Sequence, residues 1–245
     1  MDNTPSRDLS LSGANIVYIS LKENLGIASA QNIGIKEAAS LGCNYIIFFD
    51  QDSSITIDLI QNLIHSFIEV YAFDPKVALV GPLIIERTTG IPYKTSANLN
   101  LSYSHANELI SSGSITTVDI IRKVGGMMDD LFIDWVDYEW CWRAKSKGFY
   151  CYMATRIRME HMVGNGVIRL PGFKIMSPAP FRYYYIYRNF LILSRLKYVP
   201  FKWKYRQFMR RFIELFIVPI IRYKYCFNIV AYMLKGIRDG LKYKY

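Results

Sequence analysis

Two carboxylates one residue apart, Asp50 and Asp52, stand directly behind four large apolar residues in IIFFDQDSS (46–54). Like charges this close repel unless they point apart into water or share a cation. A hard divalent ion such as Mg²⁺ or Mn²⁺ suits two such oxygen donors and keeps positions open for phosphate oxygens. Held there, it would neutralise a diphosphate and help it leave. The bland alternative is a solvated turn. The apolar run before the pair reads as a strand buried on both faces, as in a parallel sheet. The carboxyl end of such a strand is where open α/β sheets bind ligands.

A second acidic group, Asp134, Asp137 and Glu139, lies in DWVDYEWCWRAKSKG (134–148). Asp134 reads as a helix N-cap, and Asp137 and Glu139 fall in the first turn, where the helix dipole favours them. The chemical reading makes one of them a general base for an attacking hydroxyl. Asp137 could face a cleft while Val136 and Trp140, four apart, face the core. His161 follows a strand and precedes the Gly-containing stretch VGNG (163–166), where a metal or phosphate contact and a structural role are both open. Asn24-Leu25-Gly26, with Asn32, forms either a plain turn or an anion-attracting helix start. It is not a GxGxxG or a P-loop, so neither a dinucleotide fold nor an NTPase is supported.

The elements needed to position these residues alternate. ANIVYISL (14–21) reads as a strand, IASAQNIGIKEAAS (27–40) as a helix stopped by Gly42, and NYIIFF (44–49) as the next strand. Strand, helix, strand at this spacing is a βαβ unit and implies a parallel sheet. IDLIQNLIHSFIEVY (57–71) reads as a helix and VALVGPLII (77–85) as a strand, and 86–106 is loop-like. A short helix spans 118–124 before Gly125-Gly126, another runs from Asp134 to about Lys147, and FYCYMAT (149–155) is a strand. Beyond Pro180 helical stretches are broken at Pro200 and Pro219.

Charge divides the 245 residues. Residues 1–180 carry 15 Lys and Arg against 18 Asp and Glu, a net −3, whereas 181–245 carry 15 against two, a net +13, together the chain's +10. The same tail holds 11 of the 19 tyrosines. An anionic partner is expected, membrane or nucleic acid. Tyr and Trp favour a membrane–water boundary and Lys and Arg favour anionic lipid, so such helices would lie on a bilayer. Stacking on bases is the competing use. The aliphatic content around Phe190–Leu193 and Phe216–Val218 argues for lipid, and no nucleic acid is expected. No apolar run reaches the roughly 18 residues of a spanning helix, and the polar start MDNTPSRDLS carries no secretory signal. The four cysteines (Cys43, Cys141, Cys151, Cys226) form no CxxC and are expected as reduced thiols in a cytosolic setting.

Taken together, DNTPS (2–6), ENLGIASAQNIGI (23–35), FFDQDS (48–53), SSGS (111–114), GGMMDDLFIDWVDYEWCWRAKSKG (125–148), EHMVG (160–164) and PFRYYYIYRNFLIL (180–193) resemble the family 2 glycosyltransferases of the GT-A fold. The likeness is to the bacterial rhamnosyltransferases of O-antigen and other cell-surface polysaccharides. It implies an α/β catalytic domain over 1–179, with a mixed, mostly parallel sheet flanked by helices, and an amphipathic helical membrane-associating region over 180–245. It implies inverting transfer of a sugar, L-rhamnose from dTDP-rhamnose, to a glycan on a polyprenyl diphosphate at the cytoplasmic face of the inner membrane, with Mn²⁺ or Mg²⁺ as cofactor.

The resemblance also implies roles. Asp2 matches a contact to the nucleotide base or ribose, and Asn24, Gly26 and Asn32 match the donor-site turn and helix. Asp50 and Asp52 match the DxD pair, with His161 as a further contact to metal or diphosphate. Asp137 takes the base position, preceded by Val136 where the family has Glu. Ser112, Gly113, Asp134, Glu139 and Arg143 fall on the acceptor side. The chain starts where the second strand of the family's first half would end, so about 30 residues are expected to be missing, judged against a βαβ half. Loss of a central strand would expose a sheet edge. A truncated, non-catalytic relative that binds a membrane or an assembly is therefore the alternative.

Overall fold

The computed structural model describes residues 1–4, 13, 15–87, 90–93, 95–161, 167–170, 173–176 and 178–245, with 161, 167–170 and 173–176 as backbone alone. The chain separates into two compact units, Met1–Met162 and Val163–Tyr245. The expected boundary at 179/180 lies inside the second.

The first unit is a mixed sheet flanked by helices. Helix α1 (Gly26–Ser40) precedes the short strand β1 (Tyr45–Ile47), and α2 (Ile57–Phe73) precedes the long strand β2 (Val77–Glu86). Strand β3 (Tyr103–Ala106), strand β4 (Ile115–Thr117), α3 (Val118–Val124), α4 (Val136–Ser146) and β5 (Tyr150–His161) complete it. The strands lie in the order β1-β4-β2-β5-β3. Among the described strands of this sheet only β2 and β5 pair in parallel; β1–β4, β2–β4 and β3–β5 are antiparallel. The sheet is thus mixed but not mostly parallel as expected.

Two readings behind that expectation are corrected. Residues 15–19 join no ladder, and Ser20 makes a single parallel bridge to Asp2, so no βαβ unit forms around α1 among the described residues. The apolar run before Asp50 is a strand at the sheet's edge. Tyr45 is exposed and Ile46 through Phe49 are half-buried, and β1 has only β4 beside it. Strands fully buried on both faces need a layer packed on each face, which an exposed Tyr45 shows β1 does not have along its whole length.

The core sits on β2, where Val77 through Ile84 are all buried. Pro82, which has no N–H for a ladder, coincides with a register shift between Pro82 and Leu83, the place a central strand tolerates it. Helix α2 starts where Thr56 Oγ1 accepts from Leu59 N at 3.1 Å, and it lays Leu63, Phe67 and Val70 on the core. Helix α3 is capped likewise by Thr117, with Oγ1 3.2 Å from Ile120 N, and it ends at Gly125.

The second unit has the hairpin β6 (Val167–Leu170) and β7 (Phe173–Met176), then α5 (Arg182–Arg195), α6 (Phe201–Ile221) and α7 (Cys226–Lys242). Tyr183, Tyr187, Val218, Ile229 and Met233 form its core. Glycines at 236 and 240 on α7 let it approach α5 closely: a side chain at Gly236 would collide with the Tyr184 carbonyl, and one at Gly240 would sit 3.0 Å from the Arg188 carbonyl. Pro200 is the residue before α6, as expected of a break, but Pro219 lies within the helix. It stands in the last turn, so the one hydrogen bond it removes does not end the helix. No helix among the described residues is long and apolar enough to cross a membrane.

Candidate active site

The loop after β1, the loop before β4 and the start of α4 come together at Asp50 and Asp137. The chain leaving β1 continues antiparallel to the loop before β4: Phe48 N donates to Ser114 O at 3.1 Å and Gly113 N to Phe48 O at 2.7 Å. This brings Ser112 behind Asp50. Its Oγ lies 3.3 Å from Asp50 N, which donates to it, and 2.6 Å from Ser53 Oγ. Ser112 is fully buried. Gly113 has φ +77°, and a Cβ there would stand 2.7 Å from Met159 Sδ and 2.8 Å from Pro82. Both residues, expected on the acceptor side, hold the aspartate loop through these contacts, and Ser112 also lines a cleft with Tyr93, Glu108 and Tyr138.

Asp137 opens α4. Its Oδ1 accepts from Tyr138 N at 2.9 Å. Burial raises its carboxyl from the ordinary 3.8 to about 7, and the charge of Asp50 pushes the same way. Backbone hydrogen bonds from Tyr138, Asp137 itself and Ser111 oppose the shift without cancelling it. Asp137 also lines a small cavity with Phe48, Leu79, Met127 and Trp140. Val136 and Trp140 are buried beneath it, as the spacing requires. A neighbouring cleft is lined by Pro82, Tyr93, Thr95, Glu108 and Tyr138. Tyr138 hydroxyl ionisation is pushed far up by burial and then by the adjacent Asp137.

The approach to α4 is strained. Phe132, Asp134 and Trp135 all have left-handed φ, between +62° and +66°. Each such non-glycine residue costs about 1–3 kcal/mol and persists only where surroundings impose it. Here Phe132 O accepts from Ile27 N at 2.7 Å, and Gly26 (φ +84°) packs so tightly that a Cβ would lie 2.5 Å from the Phe132 ring. The residue preceding α4 is Trp135, with no side-chain cap. Asp134 is therefore not the N-cap; it is a half-buried loop residue.

Asn24 Oδ1 accepts from Gly26 N at 3.0 Å and from Asn3 Nδ2 at 3.1 Å, while Asn3 Oδ1 accepts from Leu25 N at 2.8 Å. Asp2 accepts from Tyr18 Oη at 2.6 Å and from Thr4 N at 2.9 Å. Both ends of the Asn32 amide are held within the chain. Its Oδ1 accepts from Met127 N at 2.7 Å, and its Nδ2 donates to Met127 O at 2.9 Å and Asp129 Oδ1 at 2.7 Å. It ties α1 to the loop leading to α4.

Glu139 and Arg143, expected on the acceptor side, bond to each other. Glu139 is completely buried and grips Arg143 through two bonds, Nε–Oε1 at 2.7 Å and Nη2–Oε2 at 2.9 Å. Arg143 continues to Val124 O at 2.9 Å and Gly126 O at 2.7 Å. Together they fasten α4 to the end of α3. Asn3, Ser53 and Phe132 escaped the sequence reading. Asn3 and Ser53 stand beside Asp2 and Asp52 in the quoted stretches, which is the signal that was there to use.

Asp50 is half-buried and Asp52 exposed at the same loop. Among the described side chains no three His, Cys, Asp or Glu gather as a metal group, and the His161 side chain lies outside those described. Two hard carboxylate oxygens with the other positions open still fit Mg²⁺ or Mn²⁺, which bind through one or two carboxylates and the phosphates of a substrate.

Residues 3–113 match the family described as Glycosyl transferase family 2. The chain is 32% identical over 239 residues to the dTDP-rhamnosyl transferase RfbF of Shigella flexneri, covering 91% of this chain and 78% of that one. Among solved structures it is similar to GalNAc-T7, crystallised with UDP, GalNAc and Mn²⁺, at 14% identity and a TM-score of 0.46, over 82% of this chain and 45% of that one. On the strength of the first two matches, the chain belongs to the family 2 glycosyltransferases.

Proposed function

We propose that the chain is an inverting, rhamnosyltransferase-like glycosyltransferase that moves L-rhamnose from dTDP-rhamnose to a glycan carried on a polyprenyl diphosphate, in polysaccharide synthesis at the cytoplasmic face of the inner membrane. The observation that carries the reading is the pairing of Asp137 with Asp50. One carboxylate is poised near neutrality, as a general base should be, and it feels the charge of another that opens a phosphate-facing loop. The RfbF likeness supports the donor, and the basic tail supports a lipid-borne acceptor.

In this mechanism the acceptor sugar enters by the cleft of Tyr93, Glu108 and Tyr138. Asp137 takes the proton of its hydroxyl. The freed oxygen bonds to the anomeric carbon from the face opposite the diphosphate, and the bond from that carbon to the diphosphate oxygen breaks, releasing dTDP. Asp50 and Asp52 would hold a divalent ion, which offsets charge on the diphosphate. Ser112 and Ser53 fix the loop that carries them, and Asn24 and Gly26 shape the donor turn.

Calorimetric titration of the full chain with dTDP and UDP, with and without Mn²⁺, tests the proposal. dTDP is expected to bind more tightly than UDP and only with metal. Asp52→Ala should weaken it at least about tenfold, the scale on which even supporting residues of a metal site act. A folded chain that ignores dTDP in the presence of Mn²⁺ would point instead to a non-catalytic relative.

A further inference from the structure

Helix α6 is built inside out. Its buried residues are Trp203, Gln207, Arg211, Glu214 and Val218, three of them polar or charged. Its exposed residues include Phe201, Tyr205, Phe208, Phe212, Phe216 and Ile220, with Phe201 79% and Ile220 75% accessible. Successive gaps of four, three, four, four and four residues place these six on one face. Phe208, Phe212 and Phe216 touch in series, with ring centroids 6.4 and 5.2 Å apart.

A helix meant for water turns its polar face outward. Here Glu214 is instead held inside by Arg211 at 3.1 Å and Arg210 at 2.8 Å, while the aromatic row faces out. Continuous exposed apolar surface of this kind marks a contact with a protein or a membrane. The borders of the row decide between them. Lys202 and Arg206, both exposed, run along one side, in a segment of net +13. With six charged residues α6 cannot span a bilayer; its 21 residues, about 31 Å long, suit lying in the headgroup layer.

We infer that the outward face of α6 is the lipid-contacting surface of this protein: the aromatic row enters the interface of an anionic bilayer while Lys202 and Arg206 meet phosphate headgroups. This rests on the reading that the enzyme works at a membrane and names the surface by which it does so. Aromatic rings favour that depth, and flanking cations reach back to the headgroups.

The full chain should float with vesicles containing anionic phosphatidylglycerol and much less with vesicles of phosphatidylcholine alone. Phe208→Ser/Phe212→Ser/Phe216→Ser should reduce partitioning at least about tenfold, with an unchanged circular dichroism spectrum. Lys202→Gln/Arg206→Gln should reduce it roughly fivefold per charge, and added salt should do the same. Sedimentation of each variant tests the rival occupant: dimers of the parent chain that the triple serine variant abolishes, without vesicle binding, would overturn the inference in favour of a second copy. Steeply salt-dependent DNA binding without flotation would also overturn it. dTDP titration of the triple variant separates the two proposals. Intact nucleotide binding with lost flotation supports the membrane face, whereas intact flotation by the triple variant defeats it whatever the nucleotide result.

Discussion

At Asp137 the forces on the carboxyl have a consequence that can be measured in two ways. Burial and the charge of Asp50 hold its proton to about pH 7, against 3.8 for the free side chain. As a base it works only when ionised, so kcat/KM should fall about tenfold per unit as pH drops below about 7. The same shift acts on folding with the opposite sense. Below pH about 3.8 both folded and unfolded chains hold the proton, and the residue makes no difference. As pH rises toward 7 the unfolded chain releases the proton while the folded chain keeps it, so the contribution of Asp137 to stability declines over that window and stays low above it. Asp137→Asn should therefore abolish transfer and raise the thermal midpoint at pH 8, with the gain vanishing near pH 4. A midpoint difference that ignores pH would mean the carboxyl is not shifted by its fold.

At the scale of elements, the Glu139–Arg143 pair shows why position in a motif is a poor guide to contact. Both sit on the helix that begins with the base, yet Glu139 has no exposed surface and Arg143 joins α4 to the carbonyls of Val124 and Gly126. Glu139→Gln should leave the half-buried Arg143 without its counter-charge and cost about 1–3 kcal/mol, read as a lower urea midpoint. If the substitution instead raises KM for acceptor without loss of stability, the acceptor role first assigned to Glu139 is restored. Elements governed by local chemistry were legible: α2 and α3 begin at threonines whose side chains cap them, and α3 ends at Gly125. Strand β4, three residues inside a loop, gave no periodic signal, and its pairing with β1 joins residues about 70 apart. The direction of the sheet was therefore hidden, and with it the edge position of β1. Within the site, Asp50 stood out by its type and its place after an apolar run, whereas Asp137 was singled out from its acidic neighbours by family resemblance. The left-handed turn at Phe132, Asp134 and Trp135 could not be read, because it is imposed by Gly26 and Ile27, a hundred residues away in sequence.

Over the whole molecule the chemistry and the charge are divided between two units. The site residues that can be described lie in Met1–Met162, which carries the acidic groups, while the excess of cations lies in 181–245. The second unit has a core of its own, in which Met233 and Ile229 are fully buried and Tyr187 Oη donates to Arg211 O at 2.8 Å across two helices. Deleting most of a buried methionine leaves a cavity that costs about 2–5 kcal/mol. Met233→Ala should thus lower the unfolding temperature of α5–α7, followed by far-ultraviolet circular dichroism. A donor site built only from the first unit should meanwhile bind dTDP with the parent affinity at temperatures where the helices remain folded. Warming the variant past the helical transition is the decisive step: nucleotide binding that survives it makes the first unit a self-sufficient donor domain, whereas binding lost in step with helicity makes the basic unit a structural part of the donor site.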